Sequence, residues 1–438
     1  MIAKYFEFEK NRTNLKQEIL AGITVFLAII YIVVVNPIIL GQSGLSFDGV
    51  VTATVMITFF SSILMGIFAK NPIVVAPGMG LNAYFTFSVV KGMNVSPEIA
   101  LGTVFWSGVV FVLLSVTNIR SKIVEAIPKQ LRYAISCGIG LFIAVIGLIN
   151  AGFIVSNPST VIGQGHLNST AITFIIGLLA TSFLVVKRIP GNLIFGILLT
   201  TLLAWPIGRW WGVELPELVR WKGLVSMPEF SLFFKLKIIE SLKFAYIPVI
   251  FSFLFTDMFD SLSTFMGVAE AGNLLDKDGN PRNLKKSLTV DAISTLISGL
   301  FGSSAGTSYI ESAAGVEMGG RTGMVSVVAG ILFLPLLFFS PILSMIPPLA
   351  TAPVLVLVGV FMMGPITKIR WKQFDDAIPC FLAIILIPLT YSITNGIIWG
   401  ILSYTIIKSA TGKFSSINVS LILVSLFSLL ALYFAHFY

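Results

Sequence analysis

The sequence predicts an all-α polytopic membrane protein whose fourteen membrane segments form two inverted sets of seven. Three observations carry that prediction: an apolar excess, a regular succession of apolar runs, and one Gly/Pro-broken segment at a matching place in each half. Of the 438 residues, 56% are hydrophobic and 11% charged, with a mean hydropathy of +0.95. Soluble domains carry about 25% charged residues. A water-soluble core cannot take up such a surplus, because the remainder would face water; lipid is the solvent that fits.

Apolar segments long enough, or nearly so, to cross about 30 Å of hydrocarbon occur near Ile19–Leu40, Val50–Phe68, Ala100–Val116, Tyr133–Asn150, Ala171–Val186 and Leu193–Ile207. A second set lies near Tyr246–Val268, Leu288–Leu300, Met324–Phe339, Ala350–Met363, Ala377–Leu389 and Ile393–Ile407. The broken segments, around Pro77–Phe87 and Gly306–Val316, complete seven plus seven. The first run follows Lys4, Lys10, Arg12 and Lys16 like a signal peptide. It exceeds the ~7–15 residues of such an h-region and ends in no small-residue cleavage site, so it is the first span.

The basic residues test the count. With a cytoplasmic N-terminus, alternate loops place inside Lys70, Arg120, Lys122, Lys129, Arg132, Lys187, Arg188, Lys277, Arg282, Lys285, Lys286, Arg321, Lys368, Arg370, Lys372, Lys408 and Lys413. With the four N-terminal ones this is 21 of the 28 Lys and Arg, as the positive-inside rule requires. The net charge of +8 therefore marks topology, and a nucleic-acid partner is not expected.

Seven spans is an odd number, so the second set enters from the opposite side, which makes an inverted repeat. A shift of 229 positions lays Ala76-Pro77-Gly78-Met79-Gly80-Leu81-Asn82 on Ala305-Gly306-Thr307-Ser308-Tyr309-Ile310-Glu311. Each break reads as a short extended stretch, Pro72–Ala76 or Ser303–Thr307, running into a half-helix. Backbone breaks at membrane depth persist only where they line a cavity or are buried in protein. Two half-helix N-termini near the midplane offer N–H donors and partial positive charge to a polar or anionic small molecule. A further apolar run, Val419–Ala435, either spans or lies in the interface with Tyr433, Phe434, His436 and Tyr438.

Carboxylates inside apolar spans are the strongest chemical signal, since Asp costs about 2.5–3.5 kcal/mol at a helix centre even on the lenient insertion scale. Asp257 and Asp260 share one helical face, continued by Ser261 and Thr264, and Glu311 sits one turn into the second half-helix. Asp260 either supports these two or bonds a neighbouring helix. Asp291 is expected to partner a helix or half-helix, and Glu317 to pair with Arg321 at i+4. Asn82 is either a ligand contact or an interhelical bridge. Tyr84, Phe85, Phe87 and Phe259 are expected to pack against lipid, and Cys137 and Cys380 are packing residues. No metal site is expected.

Several motifs are set aside. Gly78-Met79-Gly80-Leu81-Asn82-Ala83 fits a dinucleotide fingerprint, but its flanks are spans and offer no βαβ unit. Asp276-Lys277-Asp278-Gly279-Asn280 lacks the closing Glu of a calcium loop, Ser287 standing there, and reads as a turn. No H-E-x-x-H motif and no Ser/His/Asp set lies within a span, so the chain is not expected to be an enzyme.

At these residues the sequence resembles the nucleobase:cation symporter-2 superfamily, in its azaguanine-type branch of hypoxanthine, guanine and adenine permeases. The resemblance covers essentially the whole chain. It rests on Ala76 to Ala83, Phe255-Thr256-Asp257-Met258-Phe259-Asp260, Thr307-Ser308-Tyr309-Ile310-Glu311-Ser312-Ala313-Ala314-Gly315 and Gly319-Gly320-Arg321-Thr322-Gly323. The resemblance implies a core domain of spans 1–4 and 8–11 (18–117 and 245–342) and a gate domain of spans 5–7 and 12–14 (128–212 and 349–410), with 417–438 as an extra segment. It also implies proton symport, alternating access in the cell membrane, and often a homodimer. By motif, Asp257 would bind substrate, Glu311 would bind substrate and couple protons, Asn82 would be a third-span contact and Asp260 a supporting acid. The Asn-x-Gly signature implied for xanthine and uracil branches is absent after Glu311.

A purine's ring N–H groups suit carboxylate acceptors, and its O6 and ring nitrogens suit backbone N–H donors. The expected site is therefore Asp257, Glu311, Asn82, Gly78, Gly80, Thr307, Ser308 and Ile310, with Glu311, Asp257 and Asp260 for proton coupling and no cofactor. An anion transporter of similar fold and a passive nucleobase channel are the alternatives.

Overall fold

The computed structural model describes residues 2–116, 128–158, 160–206, 219, 221–276, 280–419, 421–422, 424–426 and 428–429. Outside them lie Arg120, Lys122, Lys277, the middle of the Asp276–Asn280 turn, Arg209 with the stretch after span 7, His436 and most of the 419–435 run. In order, the described residues supply the fourteen segments of the inverted repeat. Span 1 is two helices, Leu15–Ile29 and Ile32–Gly41; span 2 is Phe47–Leu64 with a last turn Met65–Ala69; span 4 is Pro97–Val116. Spans 5 to 7 are Lys129–Asn150, Ser169–Val186 and Asn192–Pro206, and spans 8 and 9 are Ile247–Gly272 and Leu284–Phe301. Span 11 is Met324–Phe333 extended by the 3₁₀ turn Leu334–Phe338, and spans 12 to 14 are Pro348–Met362, Phe374–Leu389 and Ile393–Ala410.

Among the described residues, seven helices are long and apolar enough to cross a membrane by length and composition alone. Three of the other spans have visible reasons to fall short. Span 9 buries Ser287, Asp291, Ser294, Thr295 and Ser298 along one side, which lowers its hydropathy but suits a helix enclosed by protein. Spans 3 and 10 are interrupted.

Span 3 is strand β1, Val75–Pro77, followed by the helix Met79–Ala83 and its wider continuation Tyr84–Gly92. Span 10 is strand β4, Gly306–Ser308, the 3₁₀ turn Ile310–Ser312 and the helix Ala313–Glu317. The strands pair antiparallel with Val75 opposite Ser308, Ala76 opposite Thr307 and Pro77 opposite Gly306. Gly78 N–H donates to Ala305 O at 2.9 Å and Tyr309 N–H to Val74 O at 3.0 Å. Each break thus satisfies the other's backbone in the interior. Pro77 and Gly306 are 229 apart, the shift that aligns the repeats, so the local two-fold axis passes between them.

Small residues let the helices approach. A Cβ on Gly299 of span 9 would stand 2.6 Å from Phe105 N of span 4, and one on Gly359 of span 12 would stand 2.5 Å from Gly140 O of span 5. Span 4 packs on spans 8 and 9, span 11 on spans 1 and 2, and span 5 on spans 12 and 13. A hairpin of β2, Ile154–Asn157, and β3, Val161–Gln164, joins spans 5 and 6 and was not foreseen.

On the N-terminal face, Phe6 and Phe8 are buried and Tyr5 OH donates to Ile67 O at 3.0 Å. Lys10 and Lys70 flank Glu7 and hold its carboxyl below the usual range. Arg282 donates to Asn11 Oδ1 at 2.6 Å and to Arg321 O at 2.6 Å, tying three loops together. Glu317 does not pair with Arg321 as expected. The helix ends at Glu317, Gly319 turns the chain at φ +95°, and the Arg321 guanidinium caps Val316 O and Gly320 O instead.

Candidate functional site

A cavity of about 250 Å³ lies where the two interrupted helices meet spans 1, 8, 5 and 12. One wall is built from the breaks, with Gly78, Met79, Gly80 and Leu81 from span 3 and Thr307 to Glu311 from span 10. First-turn N–H groups have no partner within a helix, and residues of both helix starts, Met79 to Leu81 and Ile310 to Glu311, line this space. Tyr31 of span 1 and Thr256, Asp260, Ser263 and Thr264 of span 8 form a second wall. Ser136 and Ile139 of span 5 and Val358, Phe361 and Met362 of span 12 form the third.

Two lining residues, Ile310 at 43% and Phe361 at 40% exposure, mark the open rim of the cavity. Toward the other face the walls are joined. Thr394 Oγ1 sits 2.7 Å from Tyr84 OH and 2.6 Å from Ser252 Oγ, Ser88 Oγ donates to Tyr391 O, and Phe87 and Phe142 meet the Tyr391 ring edge-on.

The carboxylates divide between cavity and interior. Asp260 and Glu311 both line the cavity. Tyr31 OH donates to Glu311 Oε1 at 2.8 Å, and Thr307 Oγ1 lies 3.5 Å from Asp260 Oδ2 and 2.9 Å from Ser261 Oγ. Asp257 is fully buried and does not line the cavity; Thr295 Oγ1 donates to its Oδ2, and among the described residues its Oδ1 has no hydrogen-bond partner. The reason is rotational: three residues at 3.6 per turn leave about 60° between Asp257 and Asp260, so one meets span 9 and the other meets the cavity. Asp291 accepts from Ser308 Oγ at 2.9 Å and so partners strand β4, just ahead of the half-helix the sequence suggested.

Residues 16–398 match the family model Xan_ur_permease, described as a permease family. The chain belongs to this family. The permease is 37% identical over 99% of its length and 96% of the other chain to the adenine permease AdeP of Escherichia coli (strain K12). It is 39% identical to the guanine/hypoxanthine permease PbuO of Bacillus subtilis (strain 168), over 98% of this chain and 99% of that one. Its fold is that of the transmembrane domain of the cyanobacterial bicarbonate transporter BicA, with a TM-score of 0.64 and 16% identity over 88% of this chain and 97% of that one.

Of the residues singled out in the sequence, the permease brings Gly78, Gly80, Thr307, Ser308, Ile310, Glu311 and Asp260 to one cavity. Asn82 stands one layer back, fully buried, accepting from Ser304 Oγ, with no partner for its Nδ2 among the described residues. Tyr84, Phe85 and Phe259 are buried in the protein and do not face lipid, because the half-helix and span 8 are enclosed by their neighbours. The aromatic members of the lining are Tyr31, Tyr309 and Phe361, which the sequence reading missed. One signal was present for Tyr31: the 229-position shift sets it on Asp260.

Proposed function

We propose that this permease takes up purine nucleobases, hypoxanthine and guanine ahead of adenine, together with protons, by alternating access across the cell membrane with its N-terminus in the cytoplasm. The carrying observation is the pair of carboxylates, Asp260 and Glu311, facing one cavity between two interrupted helices. The names of the relatives AdeP and PbuO support the substrate class.

Carboxylates accept, and an oxopurine offers ring N–H groups on two edges. The base docks with these toward Asp260 and Glu311, while O6 and ring nitrogens meet the helix starts at Met79 to Leu81 and Ile310 to Glu311. Asp257 and Asn82 hold the breaks in place from behind, and the cavity-lining Thr307 and Ser308 tie the second break to spans 8 and 9. Desolvation penalises an ionised carboxyl, so proton and substrate binding are linked through these acids. One proton moving with the potential supplies about 2.3 kcal/mol per 100 mV, roughly a fiftyfold accumulation.

Spans 1–4 and 8–11 move as a core against a gate of spans 5–7 and 12–14, and the present state opens to the cytoplasm. The cavity between these groups and the Thr394 contacts on the far side support this assignment. Uptake of radiolabelled hypoxanthine, guanine and adenine into cells lacking purine permeases tests the reading. Absence of accumulation for all three refutes it, and accumulation indifferent to a protonophore refutes proton coupling. The shared fold with a bicarbonate transporter favours one second reading, anion uptake; two carboxylates in the cavity repel anions and oppose it.

A further inference from the structure

We propose that Tyr31 is a positioning residue of the transport site, its hydroxyl fixing the Glu311 carboxylate in the orientation that receives substrate. The inference rests on the purine-permease reading and adds a residue that neither the motifs nor the carboxylate pattern assigned. Glu311 sits in a three-residue 3₁₀ turn, Ile310–Ser312, between a three-residue strand and a five-residue helix. So short an element gives a long flexible side chain little to rest on. The hold comes from another span: Tyr31 OH donates to Glu311 Oε1 at 2.8 Å across 280 residues of chain.

Tyr31 is itself fixed. It is 1% exposed and stands at the joint between Leu15–Ile29 and Ile32–Gly41, where Val34 and Val35 N–H both donate to its carbonyl at 3.0 Å. Its ring borders the cavity that Glu311 also lines, so the bond between them stands at the wall of the site. The repeat sharpens the argument. Tyr31 and Asp260 are 229 apart, so spans 1 and 8 place a side chain at equivalent points, a neutral donor in one and a carboxylate in the other. With Oε1 occupied by the phenol, the carboxylate is fixed before the base arrives, and binding does not have to order it. Both oxygens of a carboxylate accept, so the other serves the substrate.

Tyr31→Phe keeps the packed ring and removes only the donor. The expected result is a rise of about tenfold or more in KM for hypoxanthine, the scale of a lost hydrogen bond to a charged group, with the saturated uptake rate and surface level within about twofold of wild type. A second readout needs no substrate. The infrared carboxyl band of Glu311, identified in ligand-free protein by its loss in Glu311→Gln, shifts in Tyr31→Phe. It also shifts in the wild-type chain carrying fluorotyrosine, which alters the phenol's donor strength without altering the fold.

An unchanged KM in Tyr31→Phe overturns the proposal, as does a fall in saturated rate with KM unchanged, which is the mark of a packing role. An unshifted band in the fluorotyrosine protein overturns it even where Tyr31→Phe fails to reach the membrane. The wild-type arm separates the two readings. If wild type takes up none of hypoxanthine, guanine and adenine, the purine reading fails, while the ligand-free spectra still decide whether Tyr31 holds Glu311.

Discussion

In the first repeat the chain pauses at Val75–Pro77, restarts as a helix at Met79 and places Asn82 in its first turns; in the second it pauses at Gly306–Ser308, restarts at Ile310 and places Glu311 there. Asn82 and Glu311 are 229 apart, as are Tyr31 and Asp260. The backbone device is the same and the chemistry is not. The first repeat supplies neutral groups, with Asn82 turned into the protein against Ser304. The second supplies the carboxylates that face the cavity. Symmetry builds the two helix starts, and departure from symmetry gives the cavity an acidic side.

That contrast can be broken by experiment. The largest expected effect is in Glu311→Gln, which removes charge from the second repeat's acceptor and lowers kcat/KM for hypoxanthine by about 100-fold, the upper range for a lost charged hydrogen bond. Uptake kinetics at matched surface level check it, and near-normal uptake would end the assignment of chemistry to the second repeat. Next is Asp260→Asn, expected to raise KM about tenfold, measured by competition between labelled and unlabelled base.

Gly80 tests the proposed movement of span 3 against span 5. A Cβ there would stand 2.5 Å from Ile139 Cγ2 of span 5, so Gly80→Ala slows uptake about tenfold, the scale of about 1–3 kcal/mol of overpacking. Ile139→Ala in the same chain restores most of the rate, and failure of that rescue would show that the contact does not limit movement.

Asn82→Ala, the counterpart of the first substitution, leaves KM within about threefold and lowers thermal stability by about 1–3 kcal/mol, because Ser304 loses its buried acceptor. Equal losses in Asn82→Ala and Glu311→Gln uptake would erase the contrast between repeats. The smallest effect belongs to Thr394→Val, which removes the hydroxyl joining Tyr84 and Ser252 on the closed face. It shifts the protein toward the outward-open state, seen as a few-fold rise in labelling of a cysteine placed at Ser88; unchanged labelling would show that the hydroxyl does not hold that face.

The spans were legible because apolar length is a property of the chain: Ser169–Val186 and Lys129–Asn150 fall within a few residues of their apolar runs. Span 9 was legible despite its hydroxyls, and the breaks were legible because Pro and Gly punctuate helices. What escaped depends on neighbours. Tyr31 resembles any apolar-run tyrosine until span 10 brings Glu311 to it. The Glu317–Arg321 pair fitted i+4 spacing, but the helix had already ended.

By itself the sequence determined the solvent, the succession of spans, the repeat with its two breaks, and the presence of acids that apolar spans do not carry without reason. Those are consequences of composition and local chain stiffness. Only the tertiary structure decided that β1 and β4 complete each other's hydrogen bonds, that Asp260 rather than Asp257 borders the cavity, and that a tyrosine from span 1 holds Glu311. A side chain's surroundings are set by the rotation and crossing of helices far apart in the chain, and no local pattern encodes that angle.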